Sequence, residues 1–130
     1  MKTNQENLIP SGTVSLAASA NLEPFFMGQS VVATVQLVWT GTPAGNFKLQ
    51  GSCDKGNFNA QARSSTSQQA GVSNWSDIAS PAAVTVSAAG NQLFNLSDVG
   101  YHWVRVVWTA TGAGSGTPTL TVAQVVTKGI

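Results

Sequence analysis

The sequence predicts an all-β fold: a two-sheet antiparallel sandwich of about eight strands, jelly-roll-like in its connections. Three observations predict it. Charged residues are only 8% of the chain, and the polar remainder is Ser, Thr, Asn, Gln and Gly. That mix is poor in helix formers other than Ala and rich in strand and turn residues. Apolar residues recur at alternate positions in short runs, and nothing apolar repeats at helical spacing. Gly, Pro and Asn punctuate those runs. Long early connections and tight late ones fit a jelly roll better than an immunoglobulin sandwich. The Cys-Trp-Cys arrangement of the latter is absent from a chain whose one cysteine is Cys53.

Residues 1–11 are polar and read as an N-terminal arm, outside a single sandwich domain over 12–130. The arm is either a disordered terminus or a segment docked on a neighbouring subunit, with Leu8 and Ile9 as its anchors. Gly12–Ala18 alternates Val14, Leu16 and Ala18 against Thr13, Ser15 and Ala17, a first strand with one apolar face. Ser19–Ser30 is a connection whose Phe25, Phe26 and Met27 cap one end of the core. Val31–Thr40 is the cleanest strand, with Val31, Ala33, Val35, Leu37 and Trp39 on one face. The turn Gly41–Gly45 leads into Asn46–Cys53, with Phe47, Leu49, Gly51 and Cys53 on one face. The two runs together read as a β-hairpin.

Residues 54–74 change character to Gly, Asn, Ser, Gln and Ala, with Arg63 the only charge after Lys55. A stretch of that length reads as a long surface loop near 56–74. Trp75–Ile78, Ala82–Ala88 and Gln92–Leu96 are short strands. Tyr101–Thr109, YHWVRVVWT, is the densest run of aromatic and β-branched residues. Its two faces, His102/Val104/Val106/Trp108 and Tyr101/Trp103/Arg105/Val107/Thr109, both carry large apolar groups. It is therefore expected to be a central strand covered at least in part on both sides. Thr111–Pro118 reads as a hairpin tip, and Thr119–Thr127 as the last strand.

Little in the chain can do chemistry. One His, one Cys and five dispersed acids do not make a metal site by spacing. His102, in a strand sequence, is expected to be structural. Cys53 is expected to be a small buried apolar residue. No Gly-x-Ser-x-Gly elbow places a nucleophile, and the glycine-rich run 112–116 lacks the ending of a phosphate loop. No enzyme activity and no cofactor are expected. A net charge of +1 gives no argument for nucleic acid or an anionic membrane. No apolar run reaches the roughly 20 residues needed to span a bilayer, and the N-terminus lacks a signal-peptide core, so synthesis in the cytoplasm is expected. A surface this poor in charge is weakly protected against association, so part of it is expected to be covered by copies of itself or by a partner. Trp39, Trp75, Trp103, Trp108 and Tyr101 read as core first and as a sugar-binding platform second. Arg105 reads as a partner of Asp77 or Asp98, or as an inter-subunit contact.

The order of motifs resembles a known group. Phe47–Gly56, FKLQGSCDKG, is followed by Trp75–Ile78, WSDI, then Gly100–Trp108, GYHWVRVVW, and Gly112–Val122, GAGSGTPTLTV. The series covers about residues 31–126 and resembles small β-sandwich virion proteins of tailed bacteriophages. It is more loosely similar to discoidin-type galactose-binding-like domains. In the latter the step from the S-x-D-G turn to the tryptophan is short, whereas residues 57–74 lengthen it here. The resemblance implies a structural protein: a capsid decoration (cement) protein or a head or tail accessory protein. Such a protein would be assembled into virions in the host cytoplasm. Its expected partners are copies of itself, as a trimer, and the major capsid or other virion proteins. Leu8, Ile9, Arg63 and Arg105 are the candidate interface residues. The alternative is a carbohydrate-binding sandwich using exposed aromatics.

Overall fold

Eleven strands run through the described residues of a computed structural model: β1 Thr3–Asn7, β2 Val14–Ser15, β3 Ala20–Asn21, β4 Phe25–Phe26, β5 Ser30–Thr42, β6 Gly45–Ser52, β7 Ser76–Asp77, β8 Val84–Val86, β9 Gly90–Leu96, β10 Trp103–Ala110 and β11 Ser115–Gly129. The structure describes residues 3–10, 12–28, 30–54, 72–97 and 100–129, and no helix occurs among them. The strands form two antiparallel sheets of five and six. One runs β1-β11-β5-β9 with β2 also on β11; the other runs β3-β10-β6-β7 with β4 also on β10 and β8 on β6.

The short strands come in pairs along a longer neighbour. β1 and β2 follow one another along β11, β3 and β4 along β10, and β7 and β8 along β6. Counting each such pair as one interrupted strand leaves eight positions, and the sheets then read 1-8-3-6 and 2-7-4-5. That is jelly-roll order: the first position pairs the last, the second the seventh, the third the sixth and the fourth the fifth. The sandwich class expected from alternation is what the chain adopts.

Alternation also places the core. Ala33, Val35, Leu37 and Trp39 of β5 are buried, as are Phe94 and Leu96 of β9 and Leu120, Ala123 and Val125 of β11. They face Phe47 and Leu49 of β6 and Val104, Val106 and Trp108 of β10, all fully buried. Three rings bridge the sheets. Trp39 and Phe47 lie 5.3 Å apart between centroids, and Phe47 and Trp108 lie 4.6 Å apart, both tilted. Burying each large apolar side chain here contributes about 1.5–3 kcal/mol. The indole N–H groups are satisfied: Trp39 donates to the Ala88 carbonyl (2.7 Å) and Trp108 to the Leu16 carbonyl (3.1 Å). Phe25 and Met27 reach the core from the early connection, as expected.

Four expectations need correction. β5 and β6 are not a hairpin: β5 belongs to one sheet and β6 to the other, so residues 42–45 form a corner between sheets. β10 and β11 do the same, so Thr111–Pro118 is a second corner and not a hairpin tip. The two corners lie against each other. Thr111 donates its N–H to the Ala44 carbonyl (2.9 Å), and Ser115 pairs with Thr42. Gly41, at φ +77°, makes this possible, because a Cβ there would stand 2.7 Å from both the Gly116 carbonyl oxygen and Pro118 Cα. Third, the described part of segment 1–11 is an edge strand and not an arm. β1 pairs with β11 from Thr3↔Lys128 to Asn7↔Gln124, and Leu8 donates to the Ala123 carbonyl (2.8 Å). Fourth, Cys53 is exposed, because it follows the end of β6 and falls outside the alternating row. The first expected strand, Gly12–Ala18, shortens to β2, although Leu16 is fully buried.

Candidate functional site

The sandwich leaves two outer faces. On the β10-β6-β7 sheet, the outward row of β10 after Trp103 is Arg105 and Val107, both half-buried. Arg105 donates from Nε to Gln50 Oε1 (2.9 Å), and its guanidinium carbon lies 4.4 Å from the centre of the Trp75 ring. Gln50 in turn donates to Asp77 Oδ1 (2.9 Å), and Lys48 lies 3.1 Å from the same carboxylate. Burial lowers the Arg105 pKa below its ordinary value, while the Gln50 and Lys48 hydrogen bonds hold Asp77 below the ordinary carboxylate value. Gln50 is the relay: Arg105 meets Asp77 through an amide, not directly. Asp98, the other partner expected for Arg105, lies outside the described residues.

Trp103 shares that outer side but is 1% exposed, with the Phe26 ring 5.0 Å away. Trp39 and Trp108 are core residues. Trp75 is half-buried with Arg105 stacked on it. Two tryptophans exposed side by side therefore do not occur among the described residues. Tyr101 is packed over Gly51, where an added Cβ would stand 2.9 Å from its ring.

The base of the long loop is held by one carboxylate. Asp54 Oδ2 accepts the backbone N–H groups of Ser73 (2.8 Å) and Asn74 (2.9 Å), and both its oxygens lie within reach of the Asn74 side-chain amide. Those backbone bonds, Asn74 first, lower the Asp54 pKa from 3.8. His102 sits at the entry to β10, with Nδ1 3.3 Å from the Asp54 carbonyl oxygen. Among the described residues no three His, Cys, Asp or Glu side chains converge as a metal site.

The outer face of the β1-β11-β5-β9 sheet is different. Its cross-strand rows are Gln5, Val126, Thr34, Asn95; Asn7, Gln124, Gln36, Leu93; and Val122, Val38, Asn91. Amides and hydroxyls pair between and along the rows: Gln5 donates diagonally to Gln124 Oε1 (3.2 Å), and Thr34 donates within its row to Asn95 Oδ1 (3.0 Å). Lys128, beside Val32 at one end, is the charge on this face among the described residues. A groove of about 270 Å³ notches its rim between β1 and β2, lined by Asn7, Ile9, Pro10, Thr121, Val122 and Gln124 among others.

Of the four interface candidates, Leu8 and Ile9 are 1% and 4% exposed within the chain's own core. They follow β1 and pack inward, so in this chain they are core side chains. Arg105 is on an outer face, in the network above. Arg63 lies outside the described residues, as does most of the loop near 56–74. Sequence reading missed the uncharged amide and valine face, although alternate residues of Val31–Thr40 and Thr119–Thr127 already spelled it out.

Fold and faces thus define a jelly-roll β-sandwich with one nearly uncharged outer sheet face. No protein-family model matches the chain, and no curated protein sequence matches it. Among solved structures it is similar to the SPBc2 prophage-derived protein YomS, at 11% identity over 98% of this chain and 96% of that one, with a TM-score of 0.48. A chitosan-binding module of a Paenibacillus chitosanase/glucanase matches at 14% identity over 95% and 94%, TM-score 0.46. The coat protein of Tobacco streak virus matches at 7% identity over 97% and 85%, TM-score 0.43. Likenesses this distant do not separate one function from another.

Proposed function

We propose that this chain is a non-enzymatic structural protein of a tailed-phage virion, a capsid decoration or a head or tail accessory protein. It acts through contacts with copies of itself and with the virion lattice. The observation that carries the reading is the outer face of the β1-β11-β5-β9 sheet. An outward row facing only water normally carries Lys and Glu, whereas this one carries Gln, Asn, Thr and Val. Depletion of charge is what distinguishes the centre of an interface from ordinary surface. The order of strand-and-turn motifs over residues 31–126 supports the same reading. Jelly rolls serve capsids and lectins alike, so the fold by itself does not choose. The stacked and half-buried Trp75 gives no flat aromatic pair on which a sugar could lie.

The test is location. Antibody raised against the purified chain should decorate intact virions in negative-stain micrographs. The chain should also sediment with purified particles in a fixed ratio to the major capsid protein. Recovery only in the soluble fraction after the virions are sedimented would refute the proposal.

A further inference from the structure

We infer that β9 is the edge through which two copies of this chain join, β9 against β9 about a two-fold axis. The inference rests on the self-association read above and names its contact. The sandwich has four sheet edges. Two are made of β3/β4 and β7/β8, strands of two or three residues. Pro24 and Pro81 interrupt them, and Glu23 and Asp77 lie on or beside them. The third is β1/β2, which carries Glu6. Short strands, prolines and charges are the means by which proteins blunt an edge against pairing.

The fourth edge, β9, has none of these. It runs seven residues, GNQLFNL, without a charge or a proline. One side pairs with β5 along its whole length, and among the described residues no strand pairs with the other. Leu93 at its centre is a large apolar side chain left 50% exposed. The Leu93 carbonyl accepts a hydrogen bond from the side chain of Gln92 (3.0 Å). A side-chain amide there occupies an acceptor that a further strand would take.

The occupant follows from symmetry. When a strand pairs antiparallel with its own copy, every residue faces itself or its counterpart across the axis. A charge on the axis would meet its own copy, and β9 has no charge at any position. With the axis at Leu93, leucine meets leucine and Asn91 meets Asn95, pairs that stabilise a cross-strand contact. The β1-β11-β5-β9 sheets of the two copies then become one, and their uncharged outer faces become continuous. A two-fold pair, not the trimer expected from the sequence, is then the first assembled unit.

Light scattering on the full chain over a dilution series tests this. The expected species has about twice the 13.4 kDa of one chain, and Leu93→Lys, which sets two lysines on the axis, shifts it to the single-chain mass. Leu93 is half exposed, so the variant should fold, checked by circular dichroism. Amide exchange in the unmodified protein gives a second, variant-free readout. The Asn91, Leu93 and Asn95 N–H groups should be protected in the assembled state and lose that protection on dilution. A trimer, or any multimer that ignores Leu93→Lys while these amides exchange freely, overturns the β9 contact and leaves self-association standing. A single-chain mass at every concentration overturns both.

Discussion

Thr127 is a buried residue whose side-chain oxygen finds no partner. It is 4% exposed, on the inward row of β11 beside Val125, and its Oγ1 has no hydrogen bond among the described residues. A buried hydroxyl left unpaired costs about 1–3 kcal/mol. Thr127→Val keeps the shape and removes that cost, so it should stabilise the fold by about 1 kcal/mol. The change would appear as a higher urea midpoint at unchanged slope; a lower midpoint would mean that the hydroxyl is engaged. Asp54 is the opposite case, a charge met by several donors. Its folded pKa is depressed below 3.8 by the Asn74 and Ser73 N–H groups. Its contribution to stability is therefore fully present above the ordinary carboxylate value and is lost as pH falls through the depressed one. Asp54→Asn should give a shallower fall of melting temperature between about pH 5 and pH 2 than the unmodified chain. Equal slopes would show that the loop base is held by other groups. Neither residue could be picked out from the sequence. Thr127 alternates like any strand threonine, and the partners of Asp54 lie across a segment that carries no pattern.

At the scale of elements, strands were legible and their partners were not. Alternation named the buried rows of β5, β6, β9 and β10 because a half-buried strand must sort its side chains between two faces. It cannot say which sheet the strand joins. The Gly41–Gly45 turn and the run around Gly114 carry the same Gly and Pro signals whether the chain folds back beside itself or crosses to the other sheet. Both read as hairpins and both are corners. β1 escaped notice for a related reason: its polar residues lie at a sheet edge, and the apolar signal comes only after it, in Leu8 and Ile9. The corners make their own prediction. Gly41→Ala adds a Cβ against Gly116 and Pro118 at a positive φ, where backbone must move to admit it. It should destabilise by about 2–4 kcal/mol, read by thermal unfolding, since overpacking and a strained φ add. A loss under about 0.5 kcal/mol, the scale of neutral surface changes, would mean that the corners are not in contact.

For the molecule as a whole, one core joins both sheets, and Val106 lies in it with no exposed surface. Val106→Asp should unfold the domain, at a cost on the order of 4 kcal/mol or more for an unpaired buried charge. A variant that melts like the unmodified chain would displace β10 from the centre. The jelly-roll order has a further effect, on the timing of folding. β11 is the partner of β1, β2 and β5, and β10 is the partner of β3, β4 and β6. Both central strands are thus made after every strand they pair with. The early strands leave the ribosome with their apolar rows open and no local partner to close them. β5 can pair with β9 and β6 with β7 and β8 before then, but every other ladder must wait for β10 and β11 and then close loops of many tens of residues, which places such folds among the slow ones, milliseconds to seconds. During that interval the low charge that suits an assembled surface offers little protection against premature association. Dilution and chaperone capture should therefore matter more to the yield of this protein than the stability of its finished core.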